Sequence, residues 1–233
     1  MKVLTWNLEW APPSSGREQT IRRILEFADA DLICLTEAYS STLPDDGVVI
    51  EAGSGNVVAD KKRAKKVLLW SRWGWHDQNM GQNILPPGRF IGGHTETPLG
   101  TIHIIGVCIP WRSSNMPGYG SGECGPWEDH LRFIQGLKAE LRPDARRTII
   151  VGDFNQRLPR RRQPAHVAEA LETILRPFTV ATWNFESGDC AQTIDHIAHS
   201  PDLVVDQLVE VPRVADGLVL SDHFGVAGNV SLR

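Results

Sequence analysis

Asp153 and Asn155 emerge two residues apart from the apolar run Ile149–Val151, just past Gly152, in the stretch "IIVGDFN". Other apolar runs finish the same way. "KVLTWN" ends in Asn7, "DLICLTE" in Glu37, "TID" in Asp195 followed by His196, and "LSDH" in Ser221, Asp222 and His223. Taken singly, each is an ordinary turn former or helix cap. As a set they place several carboxylates and a histidine at the ends of buried strands. Carboxylates that converge in a dry cleft repel one another, and a hard divalent cation removes that repulsion. Mg²⁺ takes a few carboxylate or amide oxygens and keeps several waters, which leaves room for a phosphate. A histidine beside one of the acids supplies a base or a cation for phosphate. In-line attack on a phosphodiester builds charge on its non-bridging and leaving oxygens, which a metal neutralises while lowering the pKa of bound water.

The elements that must hold these groups are legible as periodicity. "KVLTWNL", "DLICLTE", "GVVIEAG", "KVLLWSRW", "RTIIVGDFN", "TVATWNF", "TIDHIAHS", "LVVDQLVEVP" and "GVAGNVSL" read as strands, and "RFIGGHTETPLGTIHIIGVCIPW" as a hairpin turning near Pro98 and Gly100. "REQTIRRILEFA", "EDHLRFIQGLKAEL" and "AHVAEALETIL" read as helices, the second with Leu131, Ile134, Leu137 and Leu141 inward. Ser113–Pro126, rich in Gly, Pro and Ser, reads as a long loop. About ten strands interleave with three helices, which predicts an α/β or α+β sandwich folding as one domain over residues 1–233.

Bulk properties narrow the class. The 41% apolar and 22% charged content is that of an ordinary globular chain. No apolar run is long enough to span a bilayer, and the N-terminus lacks a signal-peptide pattern, so a cytoplasmic protein without membrane association is expected. Cys34, Cys108, Cys124 and Cys190 form no C-x-x-C pair and are expected as reduced, buried thiols. A net charge of -4 argues against non-specific coating of nucleic acid, yet is compatible with an enzyme whose acidic centre lies in a local basic groove.

"TWNLEW", "LICLTE", "GDFNQRL", "TIDHI" and "LSDHFGV", in this order, resemble the endonuclease/exonuclease/phosphatase superfamily, which includes deoxyribonuclease I-like enzymes, abasic-site endonucleases, and inositol-phosphate and sphingomyelin phosphodiesterases. "LLWSR" and "GRF" are similar to its middle strands. The resemblance implies a four-layer α/β/β/α sandwich with two central mixed β-sheets, and phosphoester hydrolysis dependent on Mg²⁺ or Mn²⁺. It implies Glu37 as the main metal ligand with Asn7 and Asp222 close by. Asp153 and Asn155 would hold the attacking water and a phosphate oxygen. His223 would contact the scissile phosphate, oriented by Asp195. Two departures stand out. Cys108 occupies a position where many members carry His or Tyr; His130 or Tyr119 is the candidate substitute, the alternative for His130 being an ordinary surface residue of its helix. Gln192 stands where abasic-site specialists carry an aromatic residue three before the acid of "ID".

Substrate class is read from basic and aromatic residues. The cluster Arg157, Arg160, Arg161 and Arg162 begins two residues after Asn155 and is expected to rim the catalytic mouth, where arginines bind phosphates in bidentate fashion. The run Lys61–Lys66 is open between solvated charge and substrate contact. Of eight tryptophans, Trp6, Trp70 and Trp183 fall in expected strands, while Trp73, Trp75, Trp111 and Trp127 fall in expected loops where they could stack on bases. The leading expectation is a metal-dependent nuclease acting on DNA, with no stable protein partner inferable. The alternatives are a phosphoesterase for a sugar, inositol or lipid phosphate, and a catalytically inactive nucleic-acid-binding module.

Overall fold

The computed structural model describes residues 1–53, 63–81, 85–116 and 125–233. In chain order the elements are β1 (Lys2–Asn7), α1 (Gly16–Ala28), β2 (Leu32–Tyr39), β3 (Val48–Glu51), β4 (Ala64–Ser71), β5 (Trp75–Asn79), β6 (Phe90–Thr97), β7 (Gly100–Cys108), α2 (Glu128–Glu140), β8 (Thr148–Asp153), α3 (Ala165–Leu175), β9 (Thr179–Val180), β10 (Asp195–His199), β11 (Leu203–Val211), β12 (Val214–Ala215), β13 (Leu218–Val219) and β14 (Gly225–Leu232). Two six-stranded sheets form, in the orders β11-β14-β1-β2-β4-β3 and β5-β6-β7-β8-β10-β9, with β12 and β13 as a separate ribbon. Each sheet is mixed, because β1 runs parallel to β2 and β7 runs parallel to β8 while the remaining pairs are antiparallel. Among the described residues, no helix is long and apolar enough to cross a membrane.

Three apolar layers explain the stacking. Alternate residues of the first sheet (Val3, Leu32, Cys34, Val67, Leu69) meet those of the second (Ile102, Ile104, Ile149, Val151, Ile197) in the central layer. The opposite parity, Leu4, Trp6, Ile33, Leu35, Leu68 and Trp70, packs on Ile21 and Leu25 of α1. Ile105, Val107, Ile150 and Ala198 pack on Phe133, Leu137, Leu171 and Ile174 of α2 and α3. Strands buried on both faces read as continuous apolar runs for this reason. The result is the expected α/β/β/α sandwich. Helix α1 begins with an N-cap, in which the Ser15 side chain accepts from Glu18 N at 3.1 Å, and it ends at Asp29 in the left-handed conformation with φ 45°.

Several expectations are corrected. "TVATWNF" contributes only the two residues of β9, after which the chain turns and leaves Trp183 47% exposed. Trp75 lies in β5, a strand that charge and polarity at its centre ("HDQ") concealed, and its Nε1 donates to Val48 O at 2.8 Å. In α2 the buried face carries His130, Phe133, Ile134 and Leu137, and Leu131 is only half-buried. Cys34 and Cys108 are buried as expected, but Cys190 is exposed. Tyr119, Cys124, Lys61 and Lys62 lie outside the described residues.

Gly152 shows how backbone sterics deliver the acid that follows it. Its φ is 134°, and a Cβ there would lie 2.1 Å from Val107 O on the neighbouring strand. Only glycine lets β8 approach β7 this closely. Gly152→Ala is expected to lower unfolding stability by on the order of 4 kcal/mol or more, measured by urea denaturation.

Candidate active site

The ends of β1, β2, β8 and β10, together with the segment before β14, meet at one edge of the sandwich. Asp153 is paired with Asp195 across β8 and β10, so adjacent antiparallel strands set the two acids side by side. His223 Nδ1 lies 2.5 Å from Asp195 Oδ2, and the ring is only 13% exposed. One ligand atom from each of Asp153, Asp195 and His223 falls within 4.8 Å of the others. Asp195 Oδ1 is buried with no hydrogen-bond partner, an orphan in a structure where buried polar atoms are normally paired.

Asp153 is held by two amides. Asn7 Nδ2 donates to its Oδ2 at 3.1 Å, Asn155 Nδ2 donates to the same oxygen at 2.8 Å, and Asn155 N donates to its Oδ1 at 2.8 Å. Asn155 Nδ2 also donates to Ile109 O at 2.8 Å. Both of its amide protons are therefore engaged. The residue orients the carboxylate of Asp153 in this arrangement, and its expected donation to a phosphate requires one of these bonds to open. The turn that permits this needs Asn155 at φ 53°, a left-handed conformation that asparagine tolerates. Burial pushes the Asp153 carboxyl well above the usual carboxylate range, and the neighbouring charge of His223 pulls it back down. Burial alone would lower the His223 imidazole, but the negative charge of Asp195 and the hydrogen bond to it prevail and raise it to about 10. His223 is thus an imidazolium at neutral pH, with Nε2 turned away from Asp195 and 3.7 Å from Asp222 Oδ1.

Backbone bonds fix the loops that carry these groups. Trp6 Nε1 donates to His223 O at 3.0 Å, Ser221 Oγ donates to Asn7 O at 2.6 Å, and His223 N donates to Ser221 Oγ at 3.1 Å. Arg17 adds a clamp from α1, donating through Nε to Leu220 O and through Nη2 to Leu8 O, each at 2.5 Å. "TWN" and "LSDHF" are therefore locked together across the whole length of the chain.

Glu37 sits at φ 51° within β2, a conformation rare for a side chain of this type. Its Oε1 meets Lys66 Nζ at 2.5 Å, and Trp10 N donates to its carbonyl at 2.8 Å. Its charge contributes to the raising of Asp153, though less than burial and Asp195 do. Asp222 is a rim residue, its side chain 65% exposed. Asn7 Oδ1 accepts from Glu9 N at 2.8 Å, so its oxygen faces the segment after β1.

Arg157 is exposed and lines a cleft of about 290 Å³ together with Gln192, Asp195, Arg213, Asp222 and His223. The other three arginines are exposed but not equally available. Arg160 Nη1 donates to Gln163 O at 3.3 Å, and Arg161 pairs with Glu186. The lysine run divides. Lys65 pairs with Glu51 at 3.0 Å, while Lys66 reaches Glu37.

His130 is neither a surface residue nor a substitute acid at the mouth. It is fully buried, its Nδ1 lies 2.7 Å from Pro110 O and its Nε2 lies 2.8 Å from Gln156 Nε2. Burial lowers it to about 4, so it is neutral. His196 points away from the site, 2.9 Å from Gln156 O and 2.8 Å from Thr182 Oγ1, and burial lowers it to about 4 as well. Gln156 ties both histidines beneath the "GDFNQ" turn. The Cys108 thiol, pushed up to about 12 by burial, is no proton donor at neutral pH. Arg89 stands beside it, Nη1 donating to Cys108 O at 3.0 Å and lying 3.6 Å from Sγ. Sequence reasoning noted "GRF" only as a middle-strand pattern and did not single out Arg89 or Lys66, because each meets its partner only through strand pairing.

A model of the Endonuclease/Exonuclease/phosphatase family matches residues 4–223. Among solved structures, NExo, a 3′ phosphatase from Neisseria bound to a product DNA hairpin, is similar with a TM-score of 0.72 at 16% identity, covering 99% of each chain. An AP endonuclease from Archaeoglobus fulgidus is similar with a TM-score of 0.69 at 16% identity, covering 98% of each chain. A humanised D. rerio TDP2 is similar with a TM-score of 0.69 at 11% identity, covering 99% of this chain and 98% of the other. At these identities the likeness carries the fold alone. A search of curated proteins found no match.

Proposed function

The chain belongs to the Endonuclease/Exonuclease/phosphatase family, and we propose that within it this protein is a Mg²⁺- or Mn²⁺-dependent phosphodiesterase, a nuclease that hydrolyses DNA as a single catalytic domain. The observation that carries this reading is the convergence of Asp153, Asp195 and His223 within 4.8 Å, with two amides holding Asp153. DNA is favoured because the Neisseria structure holds a DNA hairpin and the Archaeoglobus structure is of an AP endonuclease.

The donor set fits a hard cation. It offers carboxylates: Glu37 is paired with Lys66, Asp222 stands exposed at the rim, and Asp195 leaves Oδ1 without a hydrogen-bond partner among the described residues. Glu37 would hold the ion, with Asn7 beside it and Asp222 at the rim. When bound, the ion supplies positive charge to the non-bridging and leaving oxygens of the phosphodiester. The protein's own groups do the rest. Asp153, held in a fixed orientation by Asn7 and Asn155, accepts a proton from the attacking water. Its raised affinity for protons suits a general base that works near neutrality. His223, kept cationic by Asp195, presents Nε2 to a phosphate oxygen and stabilises the charge that develops there. Asp195 fixes the orientation of the ring, as a carboxylate behind an imidazole does. Arg157 lines the mouth at which a polyanion would enter.

Neutralising Arg160, Arg161 and Arg162 together is expected to weaken duplex DNA binding and to flatten its dependence on salt, because each lost phosphate contact removes roughly one released counterion. Hydrolysis of a small chromogenic phosphodiester is expected to change less than about twofold. Fluorescence-anisotropy titrations at several salt concentrations, beside steady-state kinetics on the ester, check this. Equal losses on both substrates would refute the polynucleotide assignment.

A further inference from the structure

Lys66 is an unusual neighbour for a metal ligand. Its ammonium lies 2.5 Å from Glu37 Oε1, close to where a hard cation would bind that oxygen. The pairs Thr36↔Val67 and Ala38↔Lys65 bracket Glu37 and Lys66 on adjacent strands, so the contact is built into the register of β2 and β4. The two side chains are 23% and 20% exposed, which limits screening by solvent. From the same position Nζ also lies 4.6 Å from the centre of the Trp10 ring, a face that attracts a cation and does not depend on the Glu37 contact. Lys65 faces a separate acid, Glu51, and does not share this role.

An ammonium and a divalent ion cannot both occupy the same face of one carboxylate oxygen, and at this range they repel. We infer that Lys66 is a tethered counter-cation that competes with the divalent metal for Glu37 and, once displaced, is held on Trp10 where it can pair with a phosphate oxygen of the substrate. The inference rests on Glu37 being a metal ligand, as proposed above. It makes metal loading depend on substrate. Without a phosphate, binding the metal strands an ammonium beside it; with one, the displaced ammonium gains an anionic partner. Lys66 is thus a positioning residue that couples metal affinity to occupancy by a phosphate.

The test is direct Mn²⁺ binding to the full chain, followed by electron paramagnetic resonance without turnover. Lys66→Met is expected to bind Mn²⁺ about fivefold tighter or more, the effect of losing one partly shielded ion pair and one repulsive charge. Lys66→Arg is expected to stay near wild type. Thymidine 5′-monophosphate is expected to tighten Mn²⁺ binding more in wild type than in Lys66→Met. Lys66→Gln serves in place of Lys66→Met should the latter fail to fold. Unchanged or weaker Mn²⁺ binding in the neutral variant overturns the inference. Glu37→Gln separates the two levels. If it binds Mn²⁺ as wild type does, the metal-ligand reading fails; if it loses Mn²⁺ while Lys66→Met gains nothing, only the role of Lys66 fails.

Discussion

Glu37→Gln is expected to abolish most hydrolysis while leaving the fold intact. The loss is expected to be on the order of 10²–10³ in kcat, because removing the proposed metal ligand gives up several kcal/mol of transition-state stabilisation. The amide is nearly isosteric and its oxygen can still accept from Lys66, so the fold is kept, with thermal unfolding lowered only by the loss of one partly buried ion pair. The same activity should vanish in EDTA and return with Mg²⁺ or Mn²⁺. Steady-state kinetics on plasmid DNA and on a chromogenic phosphodiester, alongside circular dichroism melts, read both quantities. Full activity in EDTA would remove the proposed mechanism altogether.

His223→Ala is expected to cost on the order of 10²–10⁴ in rate, the range for a positioned acid–base or charge-stabilising group. Asp195→Asn should cost less alone, and the double variant should be little worse than His223→Ala, because the 2.5 Å contact makes the two residues one unit. Additive effects on rate would separate them and contradict the arrangement. The pair also has a signature in stability against pH. The imidazole is raised in the folded chain to about 10, against about 6.5 in an unfolded one. Its stabilising contribution is complete below about pH 6.5 and is lost as pH rises towards 10. Urea unfolding at pH 7, 8.5 and 10 should show this alkaline loss in the wild type and a shallower one in His223→Ala. Equal slopes would mean that the ion pair does not stabilise the native state.

The sequence by itself determined the layered architecture and named the candidates for the site. Continuous apolar runs of strand length mark strands buried on both faces, and a polar residue interrupts such a run at Asn7, Glu37, Asp153 and Asp195. Those interruptions were legible in the sequence, although Asp195, expected to finish a strand, begins β10, and Glu37 lies inside β2. Tertiary structure decided which groups meet. The resemblance had already implied Asp195 behind His223, 28 residues away, but Asn7 facing Asp153 across 146 residues is encoded by no local pattern. It also reassigned residues whose type was ambiguous. His130 looked like a surface helix residue until packing against Pro110 and Gln156 buried it. Trp183 looked like a strand residue until the chain turned after Val180. Lys66 looked like one member of a charge run until strand register set it against Glu37. Side-chain type and spacing fix what a residue can do, but hydrogen bonds and ion pairs act over about 3 Å, and only the folded chain brings distant positions within that reach.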